Sequence, residues 1–144
     1  MDNAIKELKE VAQNTVKEVN LLLPQLSQNA LPLTVEDLEL IIRDVNTHLL
    51  VCVKNEKIIG MLTLTTSRIP TGIKSMIEDV VVDVEYRKFG IARDLVDFAL
   101  NIAKELGSKS VELTSRPSRE AANKLYVTIG FKIRETNVYR YTFD

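Results

Sequence analysis

Apolar residues recur at helical spacing late in the middle of the chain. Ile91, Leu95, Phe98, Ala99, Ile102, Ala103 and Leu106 share one stripe, and Arg93, Asp94, Asp97, Asn101, Lys104 and Glu105 fall outside it. That period predicts an amphipathic helix. Gly107 stands where a left-handed cap would stop it. Just before it, Val80, Val81 and Val82 lie in an apolar, β-branched run that predicts a long strand over Ser75 to Val84. His48 to Val53 and Lys57 to Thr66 read as two further strands joined by a tight turn at Asn55-Glu56. Leu38, Ile41, Ile42 and Val45 form the buried stripe of an earlier helix. It opens at Thr34, with Asp37 at the reciprocal position of a capping box.

The remaining stretches are shorter. From Ile5 to Leu23, a stripe of Leu8, Val11, Ala12, Thr15, Val19 and Leu22 favours one helix by local propensity. Pro24 and Pro32 bracket a predicted loop from Leu23 to Leu33, and Pro70 and Gly72 mark another from Arg68 to Lys74. Ser110 to Thr114 reads as a strand, with Val111 and Leu113 on one side. Pro117-Ser118 starts a short helix, with Ser118 as its predicted N-cap. Lys132 to Glu135 and Val138 to Phe143 read as a terminal hairpin around Thr136-Asn137.

The junction of the long strand and the long helix carries the chemistry. A strand that feeds a helix N-terminus through a Gly-containing turn makes an anion site. The first helical N–H groups lack internal partners, and the helix dipole favours negative charge there. Arg87 and Lys88 add positive charge to the same turn. No G-x-x-x-x-G-K-[ST] or G-x-G-x-x-G run occurs, so this is neither a nucleoside triphosphate loop nor a dinucleotide fingerprint.

What stands there instead is Arg87-x-x-Gly90-x-Ala92, which resembles the Arg/Gln-x-x-Gly-x-Gly/Ala signature of the GNAT superfamily of N-acetyltransferases. A second segment, Ser118 to Phe131, looks like that family's other cofactor segment: Ala122, then Tyr126, ending in Gly130-Phe131. The resemblance runs from roughly Leu49 to the C-terminus. It implies a mixed α/β fold whose mostly antiparallel central sheet is flanked by helices. The implied order is strand, two helices, three antiparallel strands, helix, strand, helix, two strands. It also implies a first strand near Ala4 to Leu8, against the local propensity.

The same resemblance implies acetyl-CoA as co-substrate. The backbone N–H groups of Lys88, Phe89, Gly90, Ile91 and Ala92 would face its diphosphate, with Arg87 beside them. Gly90 and Ala92 would be small to let the anion approach. Val80, Val81 and Val82 would pair with the pantetheine amides as an added strand does. Tyr126 would protonate the departing thiolate, since a phenol is a proper donor at neutral pH. In many relatives a Glu on the long strand takes the ammonium proton, which here points to Glu78. Ile77 to Val82 also looks like the matching strand of glucosamine-6-phosphate N-acetyltransferases, but a common strand pattern does not transfer a substrate. One departure stands out: relatives often carry Asn seven residues before the Tyr, where this chain has Arg119.

Read on residue chemistry alone, several of these positions stay open. Glu78 and Asp79 interrupt an apolar strand and should face a cleft, a water or a partner, on opposite faces by strand alternation. Either could instead pair with Lys74 or Arg116. Tyr126 shares an apolar face with Ala122, Leu125 and Ile129 and could be core. His48 could serve as a base, but a lone His at a strand start reads better as structural, and Cys52 reads as a small core residue.

Bulk properties narrow the classes. The chain has 144 residues and a net charge of −1, with 19 basic and 20 acidic side chains, so no basic excess marks nucleic acid as a partner. Its length fits one domain, 1–144. One cysteine and one histidine exclude a multi-cysteine or His-rich metal site, so no metal is expected. There is no signal-peptide pattern and no run of membrane-spanning length, so no membrane partner is expected and a reducing, cytoplasmic setting fits. The expectation is a single-domain N-acetyltransferase that joins acetyl-CoA and a primary amine in a ternary complex, a small-molecule amine being favoured. The alternatives are a protein or peptide N-acetyltransferase and a non-catalytic CoA-binding regulatory module. The sequence does not decide the oligomeric state, and a homodimer is one arrangement open to it.

Overall fold

The computed structural model describes residues 3–144, which divide into two compact units, one ending at Thr114 and the other Ser115–Asp144. The first unit holds strand β1 (Ala4–Glu7), helices α1 (Thr15–Leu26) and α2 (Val35–Arg43), and strands β2 (Thr47–Lys54), β3 (Lys57–Ile69) and β4 (Gly72–Val82). A 3-10 turn (Val84–Tyr86), helix α3 (Ile91–Glu105) and strand β5 (Val111–Glu112) complete it. The sheet has five strands in the order β1-β2-β3-β4-β5, antiparallel throughout except for the parallel β4–β5 pair.

Local chemistry explains most of these boundaries. Thr34 and Asp37 form the reciprocal capping box that starts α2, and Thr34 holds the Asp37 carboxyl below its usual range, mainly through its backbone N–H and then its hydroxyl. Asn55 and Glu56 both take positive φ, 51° and 63°, which is the turn that matches the twist of a two-residue hairpin. Gly107, at φ +86°, follows the last turn of α3 as expected.

Several boundaries differ from the sequence-based expectation. The Ile5–Leu23 stripe is split: β1 pairs with β2, and the helix begins only at Thr15. Backbone pairing along the β2 edge outweighs the weak propensity of a short helix. α1 then runs through Pro24 to Leu26, so Leu23 and Pro24 are helical rather than loop. Proline costs that helix an N–H donor only toward Asn20, and the packing of Val19 and Leu22 in the core offsets the loss. The loop expected over Arg68–Lys74 shrinks to a turn between β3, which extends to Ile69, and β4, which starts at Gly72. Val45 lies beyond the end of α2 and is exposed rather than buried. Leu106 is also partly exposed, because α3 ends before it.

Two helical layers sandwich the sheet. Leu49, Val51, Ile58, Met61 and Val81 form one core with Leu8, with Val19 and Leu22 of α1, and with Leu38 of α2. Gly60 neighbours Met61 in β3, so it faces the other side. A Cβ there would lie 3.4 Å from Ile91 and Leu95 side chains, which shows how closely α3 is seated. Ile91, Leu95, Val96, Ala99 and Ala103 are buried on that side. Each large apolar side chain contributes about 1.5–3 kcal/mol by leaving water, so packing, more than propensity, holds the start of α3 against the sheet.

The second unit contains helix α4 (Glu120–Ile129). Ser118 is not its N-cap; that place falls to Arg119, whose side chain makes no capping bond. The expected terminal hairpin is not formed. Residues 131–144 contain no strand, and Ile133, Val138, Tyr139, Tyr141 and Phe143 are exposed. Thr136-Asn137 lacks the glycine of a favourable hairpin turn, and a lone two-stranded hairpin is marginal in water.

Candidate functional site

The site in the first unit is built where β3 and β4 fall out of register. Met61 faces Val81 and Thr63 faces Glu78, so Asp79 and Val80 together oppose Leu62. This is a β-bulge, and Asp79 carries it with φ +52°. The bulge breaks the alternation assumed from sequence. Glu78 and Asp79 are both exposed, as carboxylates without a buried partner should be. A bulge also frees backbone groups that a regular ladder would consume. Val80 is half-buried, whereas Val81 and Val82 are buried.

Asparagine and aspartate tolerate the left-handed region, and β-branched residues do not. Asp79→Val is therefore expected to lower stability by about 1–2 kcal/mol, with Asp79→Asn close to neutral. Thermal melts check this, and equal melting of the Val and Asn variants would mean that the backbone at residue 79 is not held as described.

Beyond Val82 the chain is tied down donor by donor. Asp83 N–H donates to Ile59 O at 2.8 Å, Glu85 N–H to Asp83 Oδ1 at 2.9 Å and Tyr86 N–H to Asp83 O at 2.8 Å. Val84 N–H donates to Gln25 Oε1 at 2.8 Å. Arg87 turns back, its Nε donating to Val82 O at 2.9 Å. Sequence reasoning placed Arg87 beside the anion; the bond from its Nε also makes it a tether between the turn and the end of β4, with its Nη groups not used in that bond. Lys54 Nζ stands over the Tyr86 ring, 5.2 Å from its centroid.

After these anchors the backbone opens. Lys88 has φ +71° and Gly90, the N-cap of α3, has φ +81°. The first helical bond is Asp94 N–H to Gly90 O, so the N–H groups of Ile91, Ala92 and Arg93 have no intrahelical acceptor. Gly90 has no side chain to cap them, and a Cβ there would meet nothing within 4 Å. The helix therefore presents its positive end to open space, which suits a diphosphate. Phe89 is exposed and Ile91 buried. The turn thus fits a CoA-type anion on its own geometry.

The other candidates are more ordinary. Cys52 is fully buried, and burial together with the Asp94 charge pushes its thiol up, which disfavours the thiolate. His48 Nδ1 lies 3.1 Å from Glu7 Oε2, joining β2 to β1. Among the described residues no cluster of three His, Cys, Asp or Glu side chains could hold a metal ion. No helix among them is long and apolar enough to cross a membrane.

Sequence comparison decides the family. The pattern of the Acetyltransferase (GNAT) family matches residues 16–131. The chain belongs to the GNAT acetyltransferase family. No curated protein is significantly similar in sequence. Many solved structures share the fold. A transcriptional regulator from Bacillus halodurans C-125 is 25% identical, with a TM-score of 0.84 over 98% of this chain and 100% of the other. An aminoglycoside acetyltransferase from an uncultured soil metagenomic sample is 20% identical, with a TM-score of 0.86 over 98% and 95%. AAC(6')-Iy, solved with the bisubstrate analogue CoA-S-monomethyl-acetylneamine, is 14% identical, with a TM-score of 0.81 over 100% of both chains.

In this GNAT chain the second segment is a self-contained device. Gly130, at φ +128°, ends α4, and Phe131 N–H returns to Tyr126 O at 2.9 Å. That places the two rings edge to face, 5.8 Å apart. Where GNAT relatives often have Asn, Arg119 occupies the N-cap. An asparagine one turn later, Asn123, supplies Nδ2 bonds to Arg116 O and Arg119 O at 2.8 and 2.9 Å. Sequence reasoning missed Asn123; its helical offset from Arg119 was the available signal.

Tyr126 is buried, and burial pushes its phenol above the ordinary 10.0, with the Arg119 charge opposing the shift. The unfolded tyrosine then loses its proton first as pH rises. The stabilisation from its burial is complete below pH 10.0 and is lost as pH rises through the higher folded value. Above pH 10.0, melting temperature should fall more steeply for the wild type than for Tyr126→Phe. Parallel curves would show that the phenol is not protected.

Proposed function

We propose that this chain, 1–144, acts as one acetyl-CoA-dependent N-acetyltransferase domain whose acceptor is a primary amine, a small-molecule amine in the first instance. The observation that carries this reading is the uncapped start of α3 behind Gly90, with φ +81° and open space at its Cβ. Backbone N–H groups of Lys88, Phe89, Gly90, Ile91 and Ala92 hold the diphosphate. The bulged strand Val80, Val81 and Val82 offers backbone donors and acceptors to the pantetheine amides, and a strand N–H near Val80 polarises the acyl carbonyl. Acetyl-CoA supplies an activated acyl thioester when bound. Glu78, exposed at the bulge, collects the ammonium proton directly or through a water. Tyr126 gives its proton to the thiolate that leaves.

Support comes from family membership and from the CoA-containing complexes of AAC(6')-Iy. The test is a screen of primary amines with acetyl-CoA, read as release of free thiol. A chain that binds CoA but releases no free thiol with any amine offered would be a binding module and not an enzyme. With an acceptor in hand, Glu78→Gln should lose most activity near neutrality and recover at high pH, where free amine is already abundant. A loss that is flat across pH would move Glu78 from proton acceptor to amine recognition. Lost thermal stability with an unchanged pH profile would make it an ion-pair residue only.

A further inference from the structure

The anion turn is held from outside the sheet by one side chain. Three donors of the segment Asp83–Tyr86 are satisfied by β3 or by the segment itself, through Ile59 O, Asp83 Oδ1 and Asp83 O. The fourth, Val84 N–H, reaches Gln25 Oε1 in the last turn of α1, 59 residues away in sequence. The amide has a defined orientation. Gln25 Nε2 donates at 3.3 Å to Leu21 O of its own helix, leaving the oxygen to face Val84. A neutral amide suits the position, because it offers an acceptor to the backbone without placing an anion near a site for another anion.

From this we infer that Gln25 is a positioning residue for the anion turn: by fixing Val84 it sets the path on which Lys88 and Gly90 enter their positive-φ conformations and α3 begins. Arg87 ties the same turn to the end of β4, so the turn is braced from both the sheet and α1. Without the Gln25 bond the turn keeps only its brace to the sheet, and donors that converge on one ligand lose affinity when their geometry loosens. Gln25 acts through Val84. It is exposed, so truncating it leaves no cavity.

This inference rests on the proposed binding of CoA at the turn. Titration calorimetry with CoA, at salt high enough to screen an added charge, compares wild type with Gln25→Leu, which removes the acceptor at similar size, and Gln25→Glu, which keeps it. Gln28→Ala, an exposed neighbour, is the control. Gln25→Leu should weaken CoA about 3–10-fold, the effect of losing one ordinary hydrogen bond, with an unchanged melting temperature. Gln25→Glu should stay within about twofold of wild type, and Gln28→Ala should not differ. Any other pattern among variants of a CoA-binding wild type overturns the role of Gln25 while leaving the proposed function standing. No binding by the wild type would overturn both.

Discussion

Tyr126→Phe is expected to keep the fold and most of the affinity for acetyl-CoA while lowering kcat by about 10²–10⁴-fold, the usual contribution of a general acid. The substitution removes one oxygen. The ring, its edge contact with Phe131 and the helix end at Gly130 do not need the hydroxyl. Burial favours the protonated phenol, as the proposed donation to a departing thiolate requires. The high-pH decline of wild-type kcat should accordingly begin above the ordinary tyrosine value of 10.0. The measurement is kcat at saturating acetyl-CoA with an acceptor found by the amine screen. A variant as fast as the wild type would make Tyr126 a core residue, the reading its apolar helix face already allows.

Gly90→Val should cripple binding of acetyl-CoA, with Kd rising about 10²-fold or more. Two effects act in one direction. A β-branched residue resists φ +81°, so the turn relaxes and its donors diverge. The new side chain also fills the open space where the diphosphate is expected. Loss of two charge-assisted hydrogen bonds alone corresponds to about 3 kcal/mol or more. Nothing lies within 4 Å of the added Cβ, so the protein accommodates the atoms and should still fold. Gly90→Asn separates the two effects, because asparagine accepts the left-handed region and leaves only the steric term. Titration calorimetry reads both variants; unchanged affinity in a folded Val variant would remove the diphosphate from this turn.

The elements that were legible in the chain are those whose signals are local and repeated. The stripe from Ile91 to Ala103, the Thr34–Asp37 capping box and the Asn55-Glu56 turn each depend on residues a few positions apart, and each forms as read. The turn between β4 and α3 was legible for the same reason: glycine at the N-cap and the strand before it are neighbours in sequence. β1 was different. Its residues carry a helical stripe, and only the family resemblance pointed to a strand, because pairing with β2 is a partnership with residues more than forty positions away.

What the chain by itself determined is the order of its elements from α2 to α4 and the start of α3 behind a glycine, since both follow from periodicity, caps and that one glycine. Tertiary structure decided the rest. The bulge at Asp79 and Val80 exists because β3 and β4 pair out of step, and nothing in either strand alone announces it. It interrupts the strict alternation that set Glu78 and Asp79 on opposite faces. Arg87 became a tether because the end of β4 offers it a carbonyl, and Gln25 became a brace because α1 packs beside the turn. Those roles depend on contacts across 5 and 59 residues of sequence separation, set by how the sheet and its helices pack. Side-chain identity specifies what a residue can donate or accept; only the fold brings the partner within hydrogen-bonding distance.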